Sequence, residues 1–265
     1  MKALTLAAAV AVMAVSASCQ KETVGGAAGN VADGVRVISV QFNNSTRAVL
    51  GSDGLTPKFE NNDRIRVSNS EKSEECTVTV SGTSATFTTT LSGELTAIYP
   101  AAAAVLASDA TDAPIAASNN FKVSAVQDGT ARNAMIAMAT IDVGASSAFF
   151  TGVTSLFEIT PPSGVTSIKI TSLKDVAINT DGATAADKLV INAPVLSDGK
   201  TYVSLVPGVG LTDLLFDAYL LKREISATAV AAGAEITVAN TKYTINNTRW
   251  EITANPTDMD KENVF

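Results

Sequence analysis

Apolar and polar residues alternate with a period of two along much of the chain from Val35 onward, the spacing of half-buried β-strands. Ile38, Val40 and Phe42 share one face of a first strand, Val35–Phe42. Further strands are expected at Arg64–Ser68, Cys76–Val80, Ala85–Thr89 and Leu95–Tyr99. A second series is expected at Leu156–Ile159, Val165–Ser172, Lys188–Ile191, Lys200–Val206 and Leu214–Leu220. Glu235–Val238, Lys242–Ile245 and Trp250–Thr253 close the pattern. Asp-Gly pairs at Asp33, Asp53, Asp128, Asp181 and Asp198 supply turn signals between them.

Two stretches compete with this pattern. Ala101–Asp109 has high helix propensity. Leu211–Arg223 has leucines near helical spacing but a poor polar face, and reads as a strand. Small residues at Gly144-Ala145-Ser146-Ser147 separate the alternation ending at Ile141 from the one starting at Phe149. The expected organisation is all-β: two β-sandwich domains in tandem, 35–145 and 146–265.

The residues before this pattern read as an address. Lys2 supplies a positive charge, Ala3–Val15 an apolar run too short to span a membrane, and Ser16-Ala17-Ser18 a small-residue cleavage site. Residues 1–18 are therefore expected to be a signal peptide. Cys19 then stands where a bacterial lipoprotein carries its acylated cysteine, although Ser16 replaces the usual leucine three residues earlier. Acyl chains hold a folded domain at a bilayer through buried methylenes, at about 0.8 kcal/mol each. Ordinary cleavage beside a coincidental cysteine is the alternative. Residues 19–34, rich in Gly and Ala, read as a flexible tether. The second cysteine, Cys76, shares a face with Val78 and Val80 and is expected to be a buried thiol.

Composition removes several function classes. The 265 residues carry a thinly spread net charge of −7 and no basic patch, which argues against nucleic acid. There is no histidine, so a His-dependent triad and a typical His-containing zinc site are excluded. Carboxylates are scattered. Glu74 and Glu75 point to opposite faces if on a strand, and read as a solvated loop face. Asn179-Thr180-Asp181-Gly182 lacks the alternating acids of a calcium loop, and Pro207-Gly208-Val209-Gly210 lacks the lysine of a phosphate loop. No catalytic residue, metal site or cofactor is expected.

The order of motifs resembles the fimbrillin family of Bacteroides-type bacteria. Cys19 is followed by the first strand and "NNSTRAVLG", then by "FENNDRIRVSN". "LTAIYP" (95–100), "FKVSAVQDGTARNAMIAMAT" (121–140), "FFTGVTSLFEITPPSGVTSIKITS" (149–172) and "LSDGKTYVSLVPGV" (196–209) follow in the family's order. Lys21-Glu22 is similar to a surface-export signal in lipoproteins of these bacteria.

The resemblance implies two transthyretin-like sandwiches and export as a lipidated precursor to the outer membrane and cell surface. It implies cleavage by a trypsin-like protease between Arg47 and Ala48, in a loop of Asn and Ser/Thr residues where a nick is expected. Arg36, inside the strand, is the poorer candidate. Loss of the first strand opens a sheet to a strand donated by another fimbrial subunit. Ile236 with Val238, and Trp250 with Ile252, are the candidate donor residues. Rival readings are an uncleaved anchor or tip subunit, and a glycan-binding surface lipoprotein.

Overall fold

The structure is a computed structural model describing residues 34–43, 58–172, 189–210, 214–220, 223–228, 239 and 241–245. The first half forms eight strands: β1 (Arg36–Phe42), β2 (Arg64–Ser68), β3 (Ser73–Thr77), β4 (Thr79–Ser81), β5 (Ser84–Thr89), β6 (Leu95–Tyr99), β7 (Ala137–Ile141) and β8 (Ser147–Gly152). A single helical turn, α1 (Ala131–Ala134), precedes β7. The second half supplies β9 (Ser155–Ile159), β10 (Ser167–Ser172), β11 (Val190–Pro194), β12 (Thr201–Leu205), β13 (Leu214–Leu220), β14 (Arg223–Thr228) and β15 (Thr241–Ile245). The chain is all-β, as its period-two pattern requires.

The first eight strands make one sheet in the order β3-β2-β6-β7-β8-β1-β5-β4. It folds over on itself around a core of Ile38, Val40, Phe42, Ile65, Val67, Phe87, Leu95, Ile141 and Phe150. The corner is β8. Its start pairs with β1, from Ser39↔Ser147 to Phe42↔Phe150, and its end pairs with β7 at Ala137↔Gly152 and Met138↔Thr151. A strand that changes partners along its length is how one sheet becomes two facing layers. The fold-over is fastened at the far edge by Glu74. Its carboxylate accepts hydrogen bonds from the Thr89 hydroxyl, from Thr90 N–H (2.9 Å) and from Thr90 Oγ1 (2.9 Å), tying β3 to the end of β5. Burial pushes this carboxyl up, but these donors outweigh it and hold it below its ordinary value.

Several expectations change in detail. The Cys76–Val80 strand is divided at Val78, whose N–H donates to the Asp63 carbonyl at 2.8 Å. Cys76 and Val78 are buried and Val80 packs on the same core, so the shared face holds. Cys76 is a free thiol, pushed up to about 12 by burial and by the Glu74 carboxylate beside it. Glu74 and Glu75 are not on a solvated loop. They sit on β3, where Glu75 faces Arg64 and Arg66 at 3.5 Å while Glu74 fastens the sheet. The alanine run is helical only over Ala101–Ala103. Ala104 and Leu106 then form bridges to Phe121 and Ile115, so pairing overrides propensity. Alternation stops at Ile141 because the chain turns, with Ala145 N–H donating to the Asp142 carbonyl at 3.0 Å. The strand beyond that turn, β8, belongs to the same sheet as β1 and β7.

The second half places a four-stranded sheet, β11-β10-β13-β14, and a three-stranded sheet, β12-β9-β15, over a second core. Ile168, Ile170, Ile191 and Phe216 from one sheet meet Phe157, Ile159, Val203 and Leu205 from the other. Leu211–Arg223, a strand rather than a helix as expected, supplies Leu214–Leu220. The two halves share packing. Ile98 of β6 turns away from the first core and joins the second, with Ala103, Val123 and Ile136.

A strap from the first half closes one side of the second. Gln127 N–H donates to the Asn192 carbonyl on β11 at 2.9 Å, and Asn192 N–H donates to the Ala125 carbonyl at 2.8 Å. The Gln127 side chain meanwhile pairs with β12 like a strand: Nε2 donates to the Ser204 carbonyl at 2.9 Å, and Oε1 accepts from Ser204 N–H at 2.9 Å. Next to it, Tyr202 N–H donates to the Gly129 carbonyl at 2.8 Å. Gly129 is required there. Its φ is +77°, and a Cβ would lie 2.5 Å from the Pro194 carbonyl oxygen.

Candidate functional site: the slot held by the first strand

The feature that carries functional meaning is the position of β1. It is an interior strand, antiparallel to β5 from Arg36↔Thr89 to Val40↔Ala85 and parallel to β8 on its other side. Strict alternation gives it two faces. Ile38, Val40 and Phe42 are buried, while Val37, Ser39 and Gln41 are exposed. Ser39 N–H donates to the Ser146 carbonyl and Asn43 N–H to the Phe150 carbonyl, each at 2.8 Å. Each such bond nets about 1 kcal/mol. Each buried side chain contributes roughly 1.5–3 kcal/mol, so the three apolar anchors dominate the hold on this strand.

The largest anchor is Phe42. Its ring stacks on Phe59, with centroids 4.4 Å apart and planes 18° from parallel. Tyr99 meets it edge-on at 5.8 Å and Phe150 lies at 6.2 Å. Phe59 also stands edge-on to Tyr99 and to Phe150, at 5.3 Å each, so these three rings form a box around the fourth. Ile38 and Val40 fill aliphatic positions further up the slot.

At the other end of β1, Arg36 acts as a tie. Its guanidinium donates to the carbonyls of Gly93 (3.0 Å), Asp142 (3.2 Å) and Ala145 (3.2 Å). These link β1 to the β5–β6 connection and to the β7–β8 turn. The Arg36 guanidinium is thus held by main-chain carbonyls from two separate connections.

The sequence-expected residues Cys19, Arg47 and Ala48 lie outside the described residues. So do the donor candidates Ile236, Val238, Trp250 and Ile252. The described residues place β1 immediately before the segment that contains Arg47. Sequence reasoning marked the inward face of β1 but missed the box and the Arg36 tie. Phe59, Tyr99 and Phe150 come from separate parts of the chain, and no local pattern joins them. Among the described residues no group of three or more His, Cys, Asp or Glu side chains could hold a metal ion, and no helix is long and apolar enough to cross a membrane.

No family model matches the chain, and no curated protein matches it. Solved structures do. Its structural neighbours are cell adhesion and fimbrial proteins of Bacteroides and Parabacteroides. A candidate cell adhesion protein from Bacteroides uniformis is similar at 16% identity and a TM-score of 0.49, over 83% of this chain and 95% of that one. A fimbrial assembly protein from Parabacteroides distasonis is similar at 10% identity and a TM-score of 0.35, over 82% and 93%. A fimbrial protein from Bacteroides ovatus is similar at 13% identity and a TM-score of 0.38, over 81% of this chain and 49% of that one.

Proposed function

We propose that this chain is a structural pilin subunit of a surface fimbria. It is exported as a lipoprotein precursor held at the outer membrane through Cys19. A trypsin-like protease cuts between Arg47 and Ala48, and subunits polymerise by strand exchange into the slot that β1 leaves. The fold is two transthyretin-like sandwiches in tandem, with the chain passing from the first to the second after Gly152. Its partners are other fimbrial subunits, its place is the cell surface, and its work is structural rather than enzymatic.

The observation that carries this reading is the interior position of β1. An edge strand can leave without opening a sheet. β1 sits between β5 and β8, so its loss exposes two rows of unpaired backbone groups and three apolar pockets at once. A slot of that kind favours a replacement strand from outside. The cut at Arg47 separates β1 from the rest of the chain while leaving Phe59, Tyr99 and Phe150 in place.

Mass analysis of the native N-terminus on cell-surface material tests this. The expected result is a start at Ala48, with an acylated Cys19 start in the precursor. A mature fibre subunit that begins at Cys19 contradicts it.

One observation favours a second reading. The three carbonyl bonds of Arg36 add to the hold on β1. They suit an uncleaved anchor or tip subunit that keeps its first strand. In that case the surface form starts at Cys19 and stays monomeric.

A further inference from the structure

The slot has two banks, and they are held unequally. β8 is one bank, and its end is paired with β7. β5 is the other, and its further neighbour in the sheet is the three-residue strand β4. Without β1, the ribbon of β4 and β5 has no strand beside it on the β8 side. Because β1 is parallel to β8 and antiparallel to β5, the two banks run antiparallel to each other. Antiparallel strands can pair directly, and a shift of about 4.8 Å, one strand spacing, brings them together. That closure satisfies both exposed rows of backbone groups with no incoming strand. An empty slot stays open only if the ribbon is held back.

Two sets of bonds hold it, one beside β4 and one at the end of β5. Beside β4, Val78 N–H donates to the Asp63 carbonyl at 2.8 Å and Asn62 N–H to the Val78 carbonyl at 3.0 Å. Val80 N–H donates to Asn61 Oδ1 at 2.6 Å. These bind the joint between β3 and β4 to the turn before β2. At the end of β5, the Thr89 hydroxyl, Thr90 N–H and Thr90 Oγ1 all donate to the Glu74 carboxylate. Alternation puts Glu74 on the inward side of β3 with Cys76, which is why it reaches across to β5. Asn69 Nδ2 adds a longer bond to the Ser92 carbonyl, at 3.3 Å. Arg36 also ties this end, through the Gly93 carbonyl, but that tie leaves with β1. The Glu74 bonds stay.

We propose that Glu74 is a positioning residue for strand exchange: by clasping the end of β5 to β3, it keeps the slot one strand wide after β1 has gone. This rests on the strand-exchange reading above and names what preserves the vacated slot. The clasp is made of hydrogen bonds to an ionised acceptor, which are stronger than neutral ones. Without it the ribbon of β4 and β5 moves toward β8. Ala85 and Phe87 stay inward during that move, because they remain in the first core. The result is a folded subunit with no opening for a donor.

A disulfide trap across the slot reads its width. Thr86 and Ser147 both lie beside Ser39, one on each bank. With the slot filled or open they are two strand spacings apart, about 10 Å, which is out of disulfide range. Direct pairing of the banks halves that distance. The full chain carrying Thr86→Cys and Ser147→Cys is cut with the protease under mild oxidation, and the link and assembly are followed together. With Glu74 in place, assembly without the link is expected. Adding Glu74→Ala is expected to produce the link after cutting and to slow assembly about tenfold or more, because only the open fraction accepts a strand. Glu74→Gln keeps an acceptor oxygen for Thr89 and for Thr90 N–H, and is expected to restore both readouts. A role in stability alone would lower the unfolding midpoint of the uncut chain without creating the link. A Glu74→Ala chain that assembles at the unsubstituted rate with no link overturns the proposal. Where Glu74→Ala does not fold, Thr90→Ala removes one of the three donors at an exposed residue. It is expected to give a smaller rise in the link, and no rise overturns the proposal. A link that forms with Glu74 in place overturns the clasp and leaves strand exchange standing. An unsubstituted chain that is cut, shows no link and never assembles overturns strand exchange and the clasp's role together.

Discussion

The two cores are closed in different ways. The first is closed by β1, a strand at one end of the chain with Arg47 just beyond it. The second is closed by the Gln127–Gly129 strap, which lies in the middle of the chain and bridges β11 and β12. Both closures satisfy the same need, since an open sheet edge over an apolar core has unpaired backbone groups. One closure can be removed by a single cut and the other cannot. Under the strand exchange proposed above, this difference lets one half open for assembly while the other half stays a fixed platform.

The largest expected effect separates the two states of the protein. Phe42→Ala removes the ring at the centre of the aromatic box and is expected to cost about 3–5 kcal/mol of stability in the uncut chain. If β1 leaves on assembly, as proposed, the substitution is expected to cost nothing in assembled material. Denaturant unfolding of both forms checks this, and equal losses in both would collapse the distinction.

Gly129→Ala strikes the permanent closure. The added Cβ would meet the Pro194 carbonyl at 2.5 Å and Thr201 Oγ1 at 2.8 Å, at a φ of +77°. A loss of about 2–4 kcal/mol is expected, from backbone strain together with steric overlap. Here the loss should be the same before and after cutting. Gln127→Ala is milder. It leaves the N–H and carbonyl of Ser204, a buried residue, without their side-chain partner, for about 1–3 kcal/mol. Gln127→Glu should recover part of this, because a carboxylate still accepts from Ser204 N–H but cannot donate to its carbonyl.

The smallest effect concerns pH. The Glu74 carboxyl is held below its ordinary value in the folded state. Its contribution is therefore complete above the unfolded carboxyl's pKa and is lost as pH falls through the lower folded value. Glu74→Gln should flatten the acid limb of a stability-versus-pH curve, without changing the plateau's shape above it.

Much of the fold is legible in the sequence, because half-buried strands announce themselves by alternation. β2, β6 and β13 occupy the expected residues, and β1 differs by a single residue at its start. The failures have physical causes. β3 begins at Ser73 because Ser73 Oγ, Glu74 and Glu75 bond to distant partners, so its polar residues hide it. Beyond Ala103 the alanine run is extended because pairing of Ala104 to Phe121 and of Leu106 to Ile115 outweighs propensity. The site was half legible. The inward face of β1 is visible as Ile38, Val40 and Phe42. The box is not, since Phe59, Tyr99 and Phe150 meet only after the sheet folds over. Gln127 shows a turn signal beside it at Asp128-Gly129, but its partner Ser204 is 77 positions away.

The central claim is that β1 fills a slot that another strand can fill. The most direct measurement is assembly of the protease-cut chain with and without an excess of a synthetic peptide spanning Val35–Asn43. The account predicts that the peptide reoccupies the slot and keeps the subunits monomeric, and that a Phe42→Ala version of the peptide does so far less well. Assembly that proceeds equally with and without the peptide would contradict it.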